Sequence, residues 1–194
     1  MKRTLAAFAL ALCGLSAVAA PVPKPGKGSD THVVFVTSLG DIEIELFPEK
    51  APKSVKNFLG YVDDKFYDGL IVHRVIPKFM VQGGGFEPGM KEKKANDAIP
   101  CESDNGLSNT RGTVAMARTQ VADSATSQFF INLVDNSRLD REKSSDKVGY
   151  CVFGQVVKGM DVVDKMAEAK TNMAGTHGDV PVQEIVFKSV RRKK

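Results

Sequence analysis

The stretch FYDGLIVHRVIPKFMVQGGG, residues 66–85, decides how the rest of the chain is read. It holds two short apolar runs, 70–76 and 79–83, rich in the branched and aromatic residues that favour strands. Pro77, Lys78 and Phe79 read as a three-residue loop between them, which sets Ile76 opposite Met80 and Arg74 opposite Gln82. With the two-residue period of a strand, Val72, Arg74 and Ile76 share one face and Ile71, His73 and Val75 the other. A charge inside such a run needs a reason, because charged side chains are rarely buried without a partner. One reading is a half-exposed arginine held by an acidic neighbour. The other is a fixed cation beside an apolar patch, suited to a neutral substrate with a carbonyl to polarise.

Upstream, HVVFVTSLGDIEIELF alternates Ile42, Ile44 and Leu46 with Glu43 and Glu45, and Gly40-Asp41 supplies a turn, so a hairpin is expected. EKAPKSVKNFLGYVDD follows, with Pro52 suited to a first helical position and Val55, Phe58, Leu59 and Val62 on one helical face. A second helix is expected over 160–169, where Met160, Val163, Met166 and Ala167 share a face. Further strand-like runs lie at 112–117, 127–132, 150–157 and 184–190, which makes about eight strands with the hairpin and the opening pair. Many short strands and two isolated helices point to a mainly β barrel or sandwich. In SQFFIN, residues 127–132, Gln128 and Phe130 fall on one face and Ser127, Phe129 and Ile131 on the other. The polar segment 136–149 reads as an exposed loop and the basic tail VRRKK as a solvated end.

The 194-residue chain opens with Lys2 and Arg3, an apolar run from Leu5 to Leu15 and the small residues Ala17, Ala19 and Ala20. That is the layout of a secretory signal peptide over 1–19, cut after Ala17-Val18-Ala19. A retained membrane anchor would need ~18 to 20 apolar residues, more than the run supplies, and the bulk of Leu12 argues against a lipoprotein cysteine at Cys13. Residues 20–30 form a Pro- and Gly-rich leader and 31–194 a single domain. Loss of Lys2 and Arg3 takes the formal charge from +4 to +2, too mild to argue for nucleic acid. Beyond the signal no run is long enough to hold the chain in a membrane.

His32, His73 and His177 lie in unrelated contexts without ligand spacing, so no metal is expected. Gly83-Gly84-Gly85 fits neither a dinucleotide nor a phosphate loop, and no cofactor is expected; a bulge or sharp bend is its simpler use. A Ser-His-Asp site assembled from residues such as Ser124 and His73 lacks any local signature. Cys101 and Cys151 could pair in an oxidising compartment, although Cys151 in YCVFGQVV reads equally as core.

FYDGLIVHRVIPKFMVQGGG, GTVAMARTQVADSATSQFFIN and GYCVFGQVVKGMDVVDKM together resemble the cyclophilin family of peptidyl-prolyl cis-trans isomerases, from about Val33 to Val190. With its leader the chain is similar to the exported, periplasmic bacterial form. The resemblance implies a closed eight-stranded antiparallel β-barrel capped by two α-helices, with a filled interior and the substrate groove outside. It implies that Arg74 is the catalytic arginine. Phe79, Met80, Phe130 and Leu139 would line a proline pocket, and Gln82 and Gln128 would orient the peptide. Ala117 and Arg118 would form the bank for the residues before proline, Arg118 chiefly through its backbone, with Tyr150 as an aromatic wall. Arg118 stands where the better-known eukaryotic members carry asparagine, Arg138 where they carry tryptophan and Tyr150 where they carry histidine. The chain has no tryptophan, which argues against tight cyclosporin binding, since the family's indole contacts that drug. The partners implied are proline-containing peptides and unfolded exported proteins, with nothing that demands more than a monomer. A non-catalytic peptide-binding chaperone using the same groove is the alternative.

Overall fold

The computed structural model describes residues 31–193, so the expected signal peptide and the whole leader lie outside the described residues. Chain order is β1 (His32–Thr37), β2 (Asp41–Leu46), α1 (Pro52–Asp63), β3 (Ile71–Ile76) and β4 (Met80–Gly83). Then follow β5 (Phe86–Glu87), β6 (Lys91–Glu92), β7 (Thr113–Met116), β8 (Phe129–Asn132) and β9 (Val152–Lys158). The chain finishes with α2 (Met160–Ala167), β10 (Thr171–Ala174), β11 (His177–Pro181) and β12 (Ile185–Arg192). Eight of these strands close into an antiparallel barrel in the order β1-β12-β3-β4-β8-β7-β9-β2. The expected hairpin is β1 and β2, with Val33 opposite Ile44 and Phe35 opposite Ile42. β1 also pairs with β12, and the Lys193 N–H donates to the His32 carbonyl at 2.8 Å, so the two described ends meet at one seam.

Alternation builds the interior. Phe35, Ile42, Ile44, Val81, Val114, Phe129 and Phe153 all point inward and are buried. Phe35, Phe58, Tyr67 and Phe129 pack as neighbouring rings with centroids 5.3 to 6.4 Å apart. Both helices turn apolar faces onto this core. α1 begins at Pro52 as expected, but its buried stripe takes in Tyr61 while Leu59 stays half-buried. Its first turn carries no acidic residue of its own; Glu102 supplies one from a loop, accepting from the backbone N–H of Lys53 and Ser54 at 3.0 and 2.8 Å. The cavity left among Phe35, Ile42, Val72, Val81 and Met166 is about 10 Å³, room for little more than one water. Any ligand of useful size therefore binds outside the barrel.

The structure adds to or corrects the sequence reading at several points. Val72 does not share a face with Arg74: Val72 and Val75 are both in the core, because β3 pairs Val72 with Gly83 but Arg74 with Gln82. His73 is thus an extra residue, a β-bulge that resets the alternation. The polar 171–181 region holds a hairpin, β10 and β11, that lies against β3. The segment 136–149 is a loop with many exposed residues, as expected, but it is pinned at points, with Ser144 buried and Asp140 accepting from Ser108 Oγ and the Asn109 N–H. The basic tail continues β12, and its charges are paired: Arg191 with Asp68, Arg192 with Asp63, Lys193 with Glu43. Cys101 and Cys151 are both free thiols; Cys151 is core, and burial pushes its thiol up to about 12.

Candidate active site

Register places a row of residues across the outside of the barrel. Arg74 on β3 pairs with Gln82 on β4, Gln82 with Phe130 on β8, Phe130 with Ala115 on β7, and Ala115 with Val152 on β9. Directly opposed residues share a face, and strands stand about 4.8 Å apart. The cation therefore sits roughly 10 Å of backbone from the phenyl ring, with one glutamine between them. One row along, Ile76 pairs with Met80, as the three-residue loop required.

Beyond Gln82 the surface becomes apolar. Phe130 and Met80 are buried in a cluster separate from the barrel core, and Phe79, Ala117, Leu139 and Tyr150 pack against it half-buried. The Tyr150 ring meets Phe130 edge-on with centroids 5.6 Å apart. Together these side chains make a slot with a buried floor and open aromatic walls. Six of the residues expected to contact substrate are thus brought together.

The polar members flank it. Gln82 Nε2 donates to Gln128 Oε1 at 3.0 Å, which orients both amides. The three glycines that follow Gln82 are small for different reasons, and only Gly85 makes room for a glutamine. An added Cβ at Gly83 would meet the Phe187 ring at 2.8 Å, one at Gly85 would meet Gln128 Cγ at 2.6 Å, and Gly84 takes a positive φ of 90°. The bend expected of this triplet is therefore at Gly84, and its neighbours are small because other groups approach them closely. Next to Gln128 an open polar cleft of about 400 Å³ runs between Gly85, Lys94 and Thr126.

Arg118 behaves differently from Arg74. Its side chain is 3% exposed and turned away from open solvent. Nε donates to the Gly149 carbonyl at 2.8 Å, Nη1 to the Thr119 carbonyl at 2.9 Å and Nη2 to Asp146, while the guanidinium lies 4.7 Å over the Tyr150 ring. It locks the loop that carries Tyr150, and the same bond to Arg118 holds the Asp146 carboxyl well below the usual range. Arg138 covers the Phe79 ring at 4.8 Å.

Sequence reasoning missed the supports. Asn136 Nδ2 donates to the Phe79 carbonyl and to Asn132 Oδ1, both at 2.8 Å, and Asn132 Nδ2 donates to Thr113 Oγ1 at 2.9 Å. All three asparagines of this network, Asn109, Asn132 and Asn136, are buried. A clue lay in asparagines sitting inside or beside apolar runs, where each needs a partner. Also missed was Asp179 on β11, whose carboxylate lies 3.7 Å from Arg74 Nε. Ser124 hydrogen-bonds Thr119 and Val121 rather than a histidine, so the hydrolase arrangement does not form. Among the described residues no cluster of three or more His, Cys, Asp or Glu could hold a metal.

Residues 32–192 match the family model described as cyclophilin type peptidyl-prolyl cis-trans isomerase. The chain belongs to the cyclophilin family. A peptidyl-prolyl cis-trans isomerase of Acinetobacter baylyi is 56% identical over 165 residues, 85% of this chain and 87% of the relative. The peptidyl-prolyl cis-trans isomerase A of Dickeya dadantii is 50% identical over 98% of this chain and 97% of its own. Among solved structures, a Cryptosporidium parvum cyclophilin type isomerase in the presence of the dipeptide Ala-Pro superposes with a TM-score of 0.72 at 25% identity. That likeness covers 84% of this chain and 99% of the other. This cyclophilin is therefore an enzyme of prolyl isomerisation, and the closed barrel with two helices is the family's fold.

Proposed function

We propose that this cyclophilin turns X-Pro bonds of exported and unfolded proteins by non-covalent, arginine-assisted catalysis in the outer groove. The observation that carries the reading is the row Arg74, Gln82, Phe130, which sets a fixed cation beside an apolar slot. The slot of Phe79, Met80, Phe130 and Leu139 takes the proline ring, with Tyr150 as its wall and Ala117 and the Arg118 backbone on the bank before it. Gln82 and Gln128 hold the peptide's polar backbone.

The chemistry is rotation about one bond. Partial double-bond character gives the peptide C–N bond a barrier of ~18 to 20 kcal/mol. At the perpendicular transition state conjugation is lost, and the proline nitrogen becomes pyramidal and basic. A group that binds this state better than the planar one lowers the barrier. Arg74 offers several fixed donors and never loses its charge. It donates to the twisted imide while the slot clamps the ring and excludes water, leaving the acyl side to rotate. A million-fold acceleration needs about 8 kcal/mol of differential binding at ~1.36 per decade. One charged hydrogen bond supplies about 1.5 to 3, so clamping and desolvation carry the larger share.

The export part of this reading is supported by Lys2, Arg3, the apolar run that follows and Ala17-Val18-Ala19, the layout of a signal for the periplasm. Exchange spectroscopy on an Ala-Pro peptide tests the catalytic reading. Arg74→Ala should fold and turn over at least about tenfold more slowly, a loss of roughly 1.4 kcal/mol. A folded variant with near-normal turnover would exclude the catalytic role given to Arg74.

A further inference from the structure

Arg74 and Asp179 meet because two strands each carry one residue too many. In β3 the extra residue is His73, between the pairs Val72 with Gly83 and Arg74 with Gln82. In β11 the pairs are Asn172 with Val180 and Ala174 with His177, so Gly178 and Asp179 together oppose Met173. Asp179 has a positive φ of 60°, a conformation that short polar side chains tolerate better than most. Bulges re-aim side chains and gather next to active sites. Here the second bulge brings the carboxylate to 3.7 Å from Arg74 Nε. The hairpin that carries it is anchored by the buried Val180 and Pro181, while Asp179 itself is half-exposed.

We propose that Asp179 is a positioning residue for the isomerase reaction: it holds the Nε edge of Arg74, so that the two terminal amino groups face the groove. The inference rests on the reading of Arg74 as the catalytic arginine. A long arginine side chain on an open surface samples many rotamers, and each must be given up before the transition state is met. At 3.7 Å the contact is an ion pair without a hydrogen bond, so the carboxylate biases the fork by charge attraction and leaves its far donors for the substrate. The same carboxylate also withdraws positive potential from the groove. Ordering raises kcat and withdrawal lowers it, so the sign of the effect decides which one governs.

Asp179→Asn removes the charge and keeps a side chain at ease with positive φ; Asp179→Gly serves as a second variant if the first disturbs the hairpin. With an Ala-Pro peptide, Asp179→Asn should lower kcat about two- to fivefold, the range of a half-exposed ion pair, and leave KM unchanged. In an Arg74→Ala background it should change nothing. About 1 M NaCl shortens electrostatic reach to roughly 3 Å, so it should bring the wild type down to the variant and leave the variant unmoved. The Arg74 Nε–H resonance should be sharp in the wild type and broadened in Asp179→Asn. Equal or faster turnover by Asp179→Asn would overturn the proposal in favour of a damping charge. So would an equal loss in the Arg74→Ala background, which would trace the effect to the hairpin instead. Failure of the catalytic reading is seen separately, as near-normal turnover of Arg74→Ala with Asp179 intact, and it would take this proposal with it.

Discussion

The Asn136 side chain donates to the carbonyl oxygen of Phe79 at 2.8 Å, across 57 positions of sequence. One wall of the slot is thereby fastened from behind by a residue that never faces a ligand. Removing the amide leaves Asn132 Oδ1 without this buried donor, a loss of about 1 to 3 kcal/mol, while the Phe79 carbonyl keeps its bond from the Leu133 N–H. Asn136→Ala is expected to lower the urea midpoint accordingly and to raise KM for a proline peptide more than it lowers kcat. Unchanged stability would show that water replaces the amide at no cost.

Phe130 forms the floor of the slot and is 4% exposed. Truncation to alanine should weaken binding of an Ala-Pro peptide by at least about tenfold and cost about 3 kcal/mol of stability, since a large buried ring is lost. Phe130→Leu keeps much of the volume and serves as the folded reference. Titration by NMR gives both affinities, and equal affinity for all three proteins would remove Phe130 from the slot.

His73 carries a pH dependence. Burial, together with His177 and the positive charge of Arg74, lowers it from 6.5 to about 4. The unfolded chain therefore takes up this proton before the folded one does. Its contribution to stability is complete above about pH 6.5, falls as pH drops toward 4, and is flat below that. The loss amounts to about 3 kcal/mol at ~1.36 per pH unit. Glu43, whose carboxyl Lys193 holds below its usual range, gives way only at lower pH. Denaturant unfolding from pH 7 to 4 should show the slope in the wild type and a much flatter one in His73→Gln.

Adjacent glycines should answer differently to one methyl group. At Gly85 the nearest atoms to the new carbon all belong to the Gln128 side chain, at 2.6 Å from Cγ, and that chain can swing away. Gly85→Ala should keep nearly all its stability and lose peptide affinity. At Gly84 the carbon meets the Ser127 carbonyl at 2.8 Å with φ at +90°, where neither backbone can yield. Gly84→Ala should lose at least about 1 to 2 kcal/mol. Parallel thermal melts and peptide titrations separate the two, and a stable Gly84→Ala would contradict the close approach.

Much of this was legible beforehand because barrel strands write their facing into the sequence. The pairing of Arg74 with Gln82 followed from a loop length, and the split of Phe129 from Phe130 followed from alternation. The bulge at His73 did not show, because an added residue inside a run of branched side chains leaves the run looking continuous. The β10–β11 hairpin did not show either: Thr171–Ala174 is short and largely exposed, Met173 included, so no alternation of buried and open positions marks it as a strand. Asp179 and Asn136 stayed hidden for a shared reason. Their partners lie 105 and 57 positions away, and only the folded chain brings such distances together.

The seam where His32 meets Lys193 lies on β1 and β12, and β8 stands four strands from β1 whichever way the ring is followed. The attachment point and the floor of the slot therefore lie across the barrel from one another, while Arg74 on β3 stands next to β12. A fused module, an affinity handle or a surface tether joined at either end of the domain would leave the Phe130 slot clear and would crowd the arginine side of the groove first.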